Sequence, residues 1–299
     1  MKITDILNQK KLSISFEIFP PKKDSSYDSV MNTALELSTL KPDFMSVTYG
    51  AGGTTCSYTT EIASELQKKG NTPALAHLTC VGSCKSDLDG IVENLKKSSI
   101  QNILALRGDF PQDESAQSVS CECKHASDLA RFLIEKGGFC IGGACYPEGH
   151  PESKNRDEDL ENLRFKVEAG CDFLTTQMFF DNDMLYSFLY RMQSKGIHVP
   201  VLAGIMPVTN AAQIKKMISL SNAYMPRKLL TIIDRFSDNP EALKQAGIAY
   251  ATDQIIDLIT NGVRGIHLYS MNKTDITSAI MSNISSIITA VNGETDDSK

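Results

Sequence analysis

Short apolar runs recur along the chain at a nearly constant spacing. They cover positions 12–18, 44–48, 74–79, 103–106, 139–145, 173–176, 199–205 and 265–269. Successive starts lie roughly 30 residues apart, the length of one strand-plus-helix unit, until a longer gap before the last. Each run is rich in β-branched and other apolar residues, as in strands buried on both faces. Between them, stretches such as 29–40, 59–69, 86–98, 127–135, 157–169, 184–195 and 211–221 carry apolar residues at three- and four-residue spacing. Ser57, Ser86, Asp181 and Asn210 stand where helices would start, and Gly70, Gly137, Gly170 and Gly196 where others would stop. Eight strands alternating with helices predict an α/β fold, a single (β/α)₈ TIM barrel. The long gap leaves room for extra helices near 226–236 and 239–261, before the last strand. A doubly wound open sheet is the competing architecture.

With 299 residues and no low-complexity linker, one barrel domain over 1–291 is expected, followed by a disordered polar tail at 292–299. Ile276, Ile280, Ile284, Ile287 and Val291 fall on one face of a C-terminal helix. A formal charge of −6 argues against nucleic acid and anionic membranes as partners. The longest stretch without charged residues, 196–214, is broken by Pro200, Gly204 and Pro207 and makes a poor membrane span. The chain opens without a signal peptide, and several of its eight cysteines sit inside apolar runs. A reduced, cytoplasmic protein is expected.

In such a barrel, polar residues at strand C-terminal ends mark the active face. Here these are Glu17, Thr48 and Tyr49, His77 and Thr79, Arg107 with Gly108 and Asp109, Tyr146 with Glu148 and His150, Gln177, and Tyr269. Glu17 lies between Phe16 and Ile18, where burial disfavours a carboxylate, as a general acid requires. A Glu paired with a buried cation such as Arg107 is the structural alternative. Gly108 permits close backbone approach to a ligand, Arg107 suits an anion, and Asp109 suits a heterocycle. A rim Arg107–Asp109 pair is again the alternative. Cys121-Glu122-Cys123-Lys124-His125 lacks the usual zinc-ligand spacing, so no metal centre is expected. Neither a Walker nor a dinucleotide glycine motif is present. His198 and His267 read as structural.

Taken in order, Ser15-Phe16-Glu17-Ile18-Phe19-Pro20-Pro21, Ser46-Val47-Thr48-Tyr49-Gly50-Ala51, His77-Leu78-Thr79-Cys80, Ala105-Leu106-Arg107-Gly108-Asp109, Tyr146-Pro147-Glu148 with His150-Pro151-Glu152, and Gly204-Ile205-Met206-Pro207 resemble the methylenetetrahydrofolate reductase family. The resemblance runs from about residue 12 to residue 285 and fits a compact catalytic form without a regulatory domain. It implies an FAD-containing barrel that reduces 5,10-methylenetetrahydrofolate to 5-methyltetrahydrofolate by ping-pong hydride transfer from NADH or NADPH, feeding methionine synthesis. By the same resemblance, Glu17 would be the general acid, and Asp109 would lie between flavin and pterin. FAD contacts would come from Thr48, Tyr49, Ala51, His77, Arg107, Gly108, Asp109, Ala126, Tyr146, His150, Asp159, Asn162 and Lys166. Folate or nicotinamide would meet Glu17, Gln177, Tyr269 and Lys273. Asp159, Asn162 and Lys166 are spaced to share one helix face.

Three positions depart from the family pattern. His125 stands where Tyr is frequent, Ala211 replaces an aromatic, and Lys273 occupies a frequent Arg position. A homo-oligomer is expected, with its subunit number open. On the residues alone, a flavin-free barrel lyase or isomerase using Glu17 and Arg107, and a non-catalytic binding barrel, stay open.

Overall fold

In the computed structural model, which describes residues 1–21, 26–49, 56–109, 123–221 and 223–293, each apolar run forms a parallel strand. They are β1 (Ser13–Ile18), β2 (Phe44–Val47), β3 (Ala74–Thr79), β4 (Asn102–Leu106), β5 (Cys140–Cys145), β6 (Phe173–Thr176), β7 (Val201–Ile205) and β8 (Gly265–Tyr269). The strands follow chain order around a closed barrel. β1 seals it, pairing Glu17 with Ser46 on β2 and with Tyr269 on β8. Closure excludes the open doubly wound sheet.

The helices are α1 (Ile3–Gln9), α2 (Tyr27–Ser38), α3 (Cys56–Lys68), α4 (Lys85–Lys97), α5 (Ala126–Lys136), α6 (Arg156–Glu168), α7 (Asn182–Ser194), α8 (Ala211–Ser221), α9 (Arg227–Phe236), α10 (Pro240–Thr260) and α11 (Thr274–Asn292). Alternation along each strand divides the core in two. Ile14, Phe16 and Ile18 pack outward among the helices. Phe44, Leu75, Leu104, Cys140, Phe173 and Leu202 fill the barrel's interior at its N-terminal end. That end is stoppered by α1, which the strand-and-helix rhythm did not predict. Its Ile3, Ile6 and Leu7 join the interior cluster, each burial contributing about 1.5–3 kcal/mol. Asn102, fully buried, fixes the stopper: its Oδ1 accepts the Ile3 N–H at 2.9 Å, and its amide donates to Met1 O and Ala74 O.

The extra helices fall where the long gap placed them. Asp181 and Asn239 cap α7 and α10, accepting N–H bonds at 3.1 Å. Two local expectations need correction. Cys84, rather than Ser86, is the N-cap of α4. Gly70 is not the left-handed residue after α3; Asn71 is, with φ 47°. Gly70 is required for space, because a Cβ there would lie 2.8 Å from Leu66 O. The last helix runs through Asn292, whose side chain bonds both N–H and C=O of Leu12, so this residue is not part of a loose tail. Positions 294–299 lie outside the described residues.

Cys140, Cys145 and Cys171 are buried free thiols, Cys80 and Cys123 are buried as well, and Cys84 is half-buried. Burial pushes the Cys145 thiol up to about 12 and that of Cys140 to about 11, so both stay protonated packing groups. Among the described residues, no helix is long and apolar enough to cross a membrane.

Candidate active site

Because all eight strands are parallel, their C-terminal ends share one face, and the polar strand ends meet there. Glu17 sits on the inner side of β1 and is 6% exposed. Its carboxylate faces imidazoles rather than Arg107: Oε2 is 3.6 Å from His77 Nε2 and 3.7 Å from His267 Nε2. The Ser270 hydroxyl donates to the Glu17 carbonyl and holds the strand end. Burial lowers His77 to about 4 despite the attraction of Glu17, so this ring is neutral at physiological pH. Among the described residues, His77 Nε2 is a buried polar atom with no hydrogen-bond partner.

Arg107 leaves the end of β4 and forks onto Glu152, with Nη2 2.7 Å from Oε1 and Nη1 on Oε2. Neither Glu17 nor Asp109 is its hydrogen-bonded partner. This pair holds Glu152 below the usual carboxylate range. Gly108 follows with φ 86° and packs so closely that a Cβ would lie 2.9 Å from the Thr79 Cβ. Only glycine fits that backbone. Asp109 is exposed at the rim.

Beside Arg107, a cavity of about 440 Å³ opens between the ends of β4 and β5 and the helices α5 and α6. Arg107, Ala126, Tyr146, His150, Asp159, Asn162 and Lys166 all line it. The Tyr146 and His150 rings meet edge to face at 4.6 Å. Burial pushes the Tyr146 phenol up to about 12 and raises Asp159, against the pull of nearby Lys166. Lys166 donates to Ala144 O at 2.6 Å, and burial lowers its pKa. The α6 spacing therefore delivers a carboxylate, an amide and a cation to one wall. Glu152, Ser127 and Phe165 also line the cavity. Glu152 could be read only as part of a motif, because its partner lies 45 positions away.

The opposite flank is apolar. Met178, Phe180, Met206, Val208, Ile214, Leu229, Ile233 and Leu243 form a separate core above the barrel, with Met271 and the Tyr269 ring packed on it. Tyr269 donates to Thr176 O at 2.6 Å, so it presents its ring to the mouth rather than a free hydroxyl. Gln177 is half-buried at the end of β6, and its Oε1 accepts the Met178 N–H. Lys273 reaches from the N-cap of α11 to Thr209 Oγ1 at 3.4 Å. Thr48 and Tyr49 are half-buried after β2, with Thr48 O accepting from Thr59. Ala51 lies outside the described residues, as do Cys121 and Glu122. Among the described residues, no cluster of three or more His, Cys, Asp or Glu side chains is placed to hold a metal.

A closed barrel with a buried carboxyl at its mouth and a cation-lined cavity beside it defines a ligand-binding (β/α)₈ protein of the enzyme-like kind. The chain belongs to the methylenetetrahydrofolate reductase family, whose model matches residues 2–285. The 5,10-methylenetetrahydrofolate reductase of Escherichia coli K12 is 36% identical over 282 residues, covering 92% of this chain and 94% of the relative. That of Pectobacterium carotovorum is 35% identical over 272 residues, covering 91% and 90%. An Arabidopsis thaliana protein, methylenetetrahydrofolate reductase (NADH) 1, is 34% identical over 95% of this chain, which spans 50% of the plant protein. Among solved structures, an uncharacterized Clostridium thermocellum protein described as binding two copies of 5-methyl-5,6,7,8-tetrahydrofolic acid superposes with a TM-score of 0.64. The match covers 97% of this chain and 100% of that one, and at 17% identity it shows a shared fold.

Proposed function

We propose that this protein reduces 5,10-methylenetetrahydrofolate to 5-methyltetrahydrofolate, using bound FAD and a nicotinamide donor in two alternating half-reactions. The carrying observation is the cavity: seven residues spread from Arg107 to Lys166, which the family resemblance ties to FAD, line one space. The donor set suits the group. Arg107 and Lys166 supply positive charge for a pyrophosphate, Asp159 and Asn162 supply hydrogen bonds for a ribose or adenine, and Tyr146 supplies a ring. Bound flavin would take a hydride from the nicotinamide and pass it to the folate.

The chain's own part is orientation and proton supply. Glu17, shielded from water, would protonate the folate nitrogen whose C–N bond breaks, opening the five-membered ring so that its one-carbon unit accepts hydride. The sum balances: substrate, NAD(P)H and one proton give methyltetrahydrofolate and NAD(P)⁺, with the proton entering through Glu17. Asp109 at the rim would accept hydrogen bonds from the pterin. Gln177, the Tyr269 ring and Lys273 would receive folate and nicotinamide in turn. Thr48, Tyr49, His77 and Gly108 would border the flavin.

NADH is the donor to test first, because the Arabidopsis relative carries it in its name. Buried free thiols favour a reducing cytoplasm, and the product would feed methionine synthesis. The assembly is proposed as a homo-oligomer, to be tested by light scattering. The main test is flavin content. Purified protein should be yellow or take up FAD stoichiometrically, and NADH or NADPH should bleach it anaerobically. Protein that takes up no flavin would favour a flavin-free barrel lyase instead.

A further inference from the structure

We infer that Phe165 is a wall on which the purine ring of an adenine dinucleotide stacks, and that this side chain makes the cavity select FAD over FMN. This rests on the flavin reading proposed above, which took only Asp159, Asn162 and Lys166 from α6.

Phe165 stays out of the core. It is 53% exposed and belongs to none of the three apolar clusters. Of the large apolar side chains left exposed among the described residues, it alone lines the cavity beside Arg107. At 3.6 residues per turn, Phe165 borders the face of α6 that carries Asp159, Asn162 and Lys166, and Arg164 lies beyond it. The Arg164 guanidinium sits over the Phe165 ring, 5.4 Å from its centroid. Two carboxylates hold that cation, Glu161 at 2.8 Å and Glu168 at 3.4 Å. Arg164 thus backs the ring from outside, and the cavity lies on the other side.

Position along the helix selects the ring it meets. The strands are parallel, so α6 starts at the mouth and runs back towards the other end of the barrel. At 1.5 Å per residue, Phe165 lies about 13 Å along α6 from its start at Arg156. The isoalloxazine has to react beside Glu17, at the mouth, which leaves the adenine end of the dinucleotide to reach along α6. Asp159 and Asn162 stand on that path for ribose hydroxyls, and Lys166 for the pyrophosphate. Every purine has a flat π face, and an aromatic wall meets it without needing a fixed set of hydrogen bonds. FMN ends at its single phosphate and has no ring to place there.

The test uses the full-length chain freed of flavin and titrated calorimetrically with FAD, FMN and ADP. ADP carries the adenine and the pyrophosphate without a flavin ring. Wild-type protein should bind ADP, and should bind FAD more tightly than FMN. Phe165→Ala should weaken FAD and ADP by about 10-fold each, the worth of one base–aromatic stack, and leave FMN unchanged. The chain has no tryptophan, so Phe165→Trp puts a single indole at the wall. That variant should keep the affinities for FAD and ADP, and ADP should quench its emission. Unchanged affinities in Phe165→Ala, equal losses for FAD and FMN, or an indole whose emission ADP leaves unaltered would each overturn the inference. Should Phe165→Ala fail to fold, the indole signal of Phe165→Trp decides. If wild-type protein binds neither flavin, the proposed function fails. ADP affinity and the indole signal still decide whether Phe165 meets a purine.

Discussion

The two flanks of the barrel mouth are built from opposite materials. From β3 to β5 the strand ends carry His77, Arg107, Tyr146 and His150, and α6 adds Asp159 and Lys166 around one cavity. From β6 to β8 the loops and α8 to α10 close over a third apolar cluster, rich in methionine. One flank fixes charge and hydrogen bonds in space, at a desolvation cost visible in the shifted His77, Tyr146, Asp159 and Lys166. The other offers soft, polarisable side chains able to pack against a ring. Glu17 stands between them, on the strand that closes the barrel. Under the proposed function, a permanently held anionic group would sit on the first flank and exchanging aromatic substrates on the second.

Substitutions should separate these roles. The largest effect is expected from Glu17→Gln: the folate half-reaction should slow by at least about 100-fold while flavin reduction by nicotinamide persists. Stopped-flow traces of both half-reactions check this, and equal losses would show that Glu17 serves binding rather than proton transfer.

Leu229→Ala, in the fully buried centre of the apolar flank, should cost about 2–5 kcal/mol of stability by urea denaturation. That loss should not vary with pH, and flavin affinity should survive it.

On the polar flank, stability should depend on pH through His77. Its pKa of about 4 in the folded state lies below the ordinary 6.5, so the unfolded chain takes up a proton first. Stability is complete above pH 6.5 and declines as pH falls towards 4, by about 3 kcal/mol in total. Denaturation at several pH values should show that decline flattened in His77→Phe.

Lys166→Met should weaken flavin binding by about 10-fold, the loss of one charge-assisted contact, with little change in the folate step once flavin is saturating. Flavin titration by fluorescence measures it. A change confined to folate KM would instead place Lys166 with the substrate.

The sequence made the barrel legible because buried parallel strands leave continuous apolar runs, and β3, β6 and β8 match their expected limits. The stopper helix α1 escaped a reading based on strand-helix rhythm, although Ile3, Ile6 and Leu7 carry helical spacing. The strand-end polar residues were also legible, since polar groups ending buried strands need a reason. Their partners were not. Arg107 meets Glu152, and Glu17 meets His77 and His267, only because the loops and barrel closure bring distant positions together. Nor does a histidine inside a strand show which carboxyl the neighbouring strand will bring to it, as β1 brings Glu17 to His267 on β8.

Anaerobic single turnover tests the central claim most directly. Enzyme whose flavin has been reduced by NADH and freed of excess donor is mixed with methylenetetrahydrofolate, and the flavin absorbance and folate product are followed together. Flavin should reoxidise with one methyltetrahydrofolate formed per flavin. Flavin that stays reduced, or reoxidises without that product, would contradict the proposed reaction.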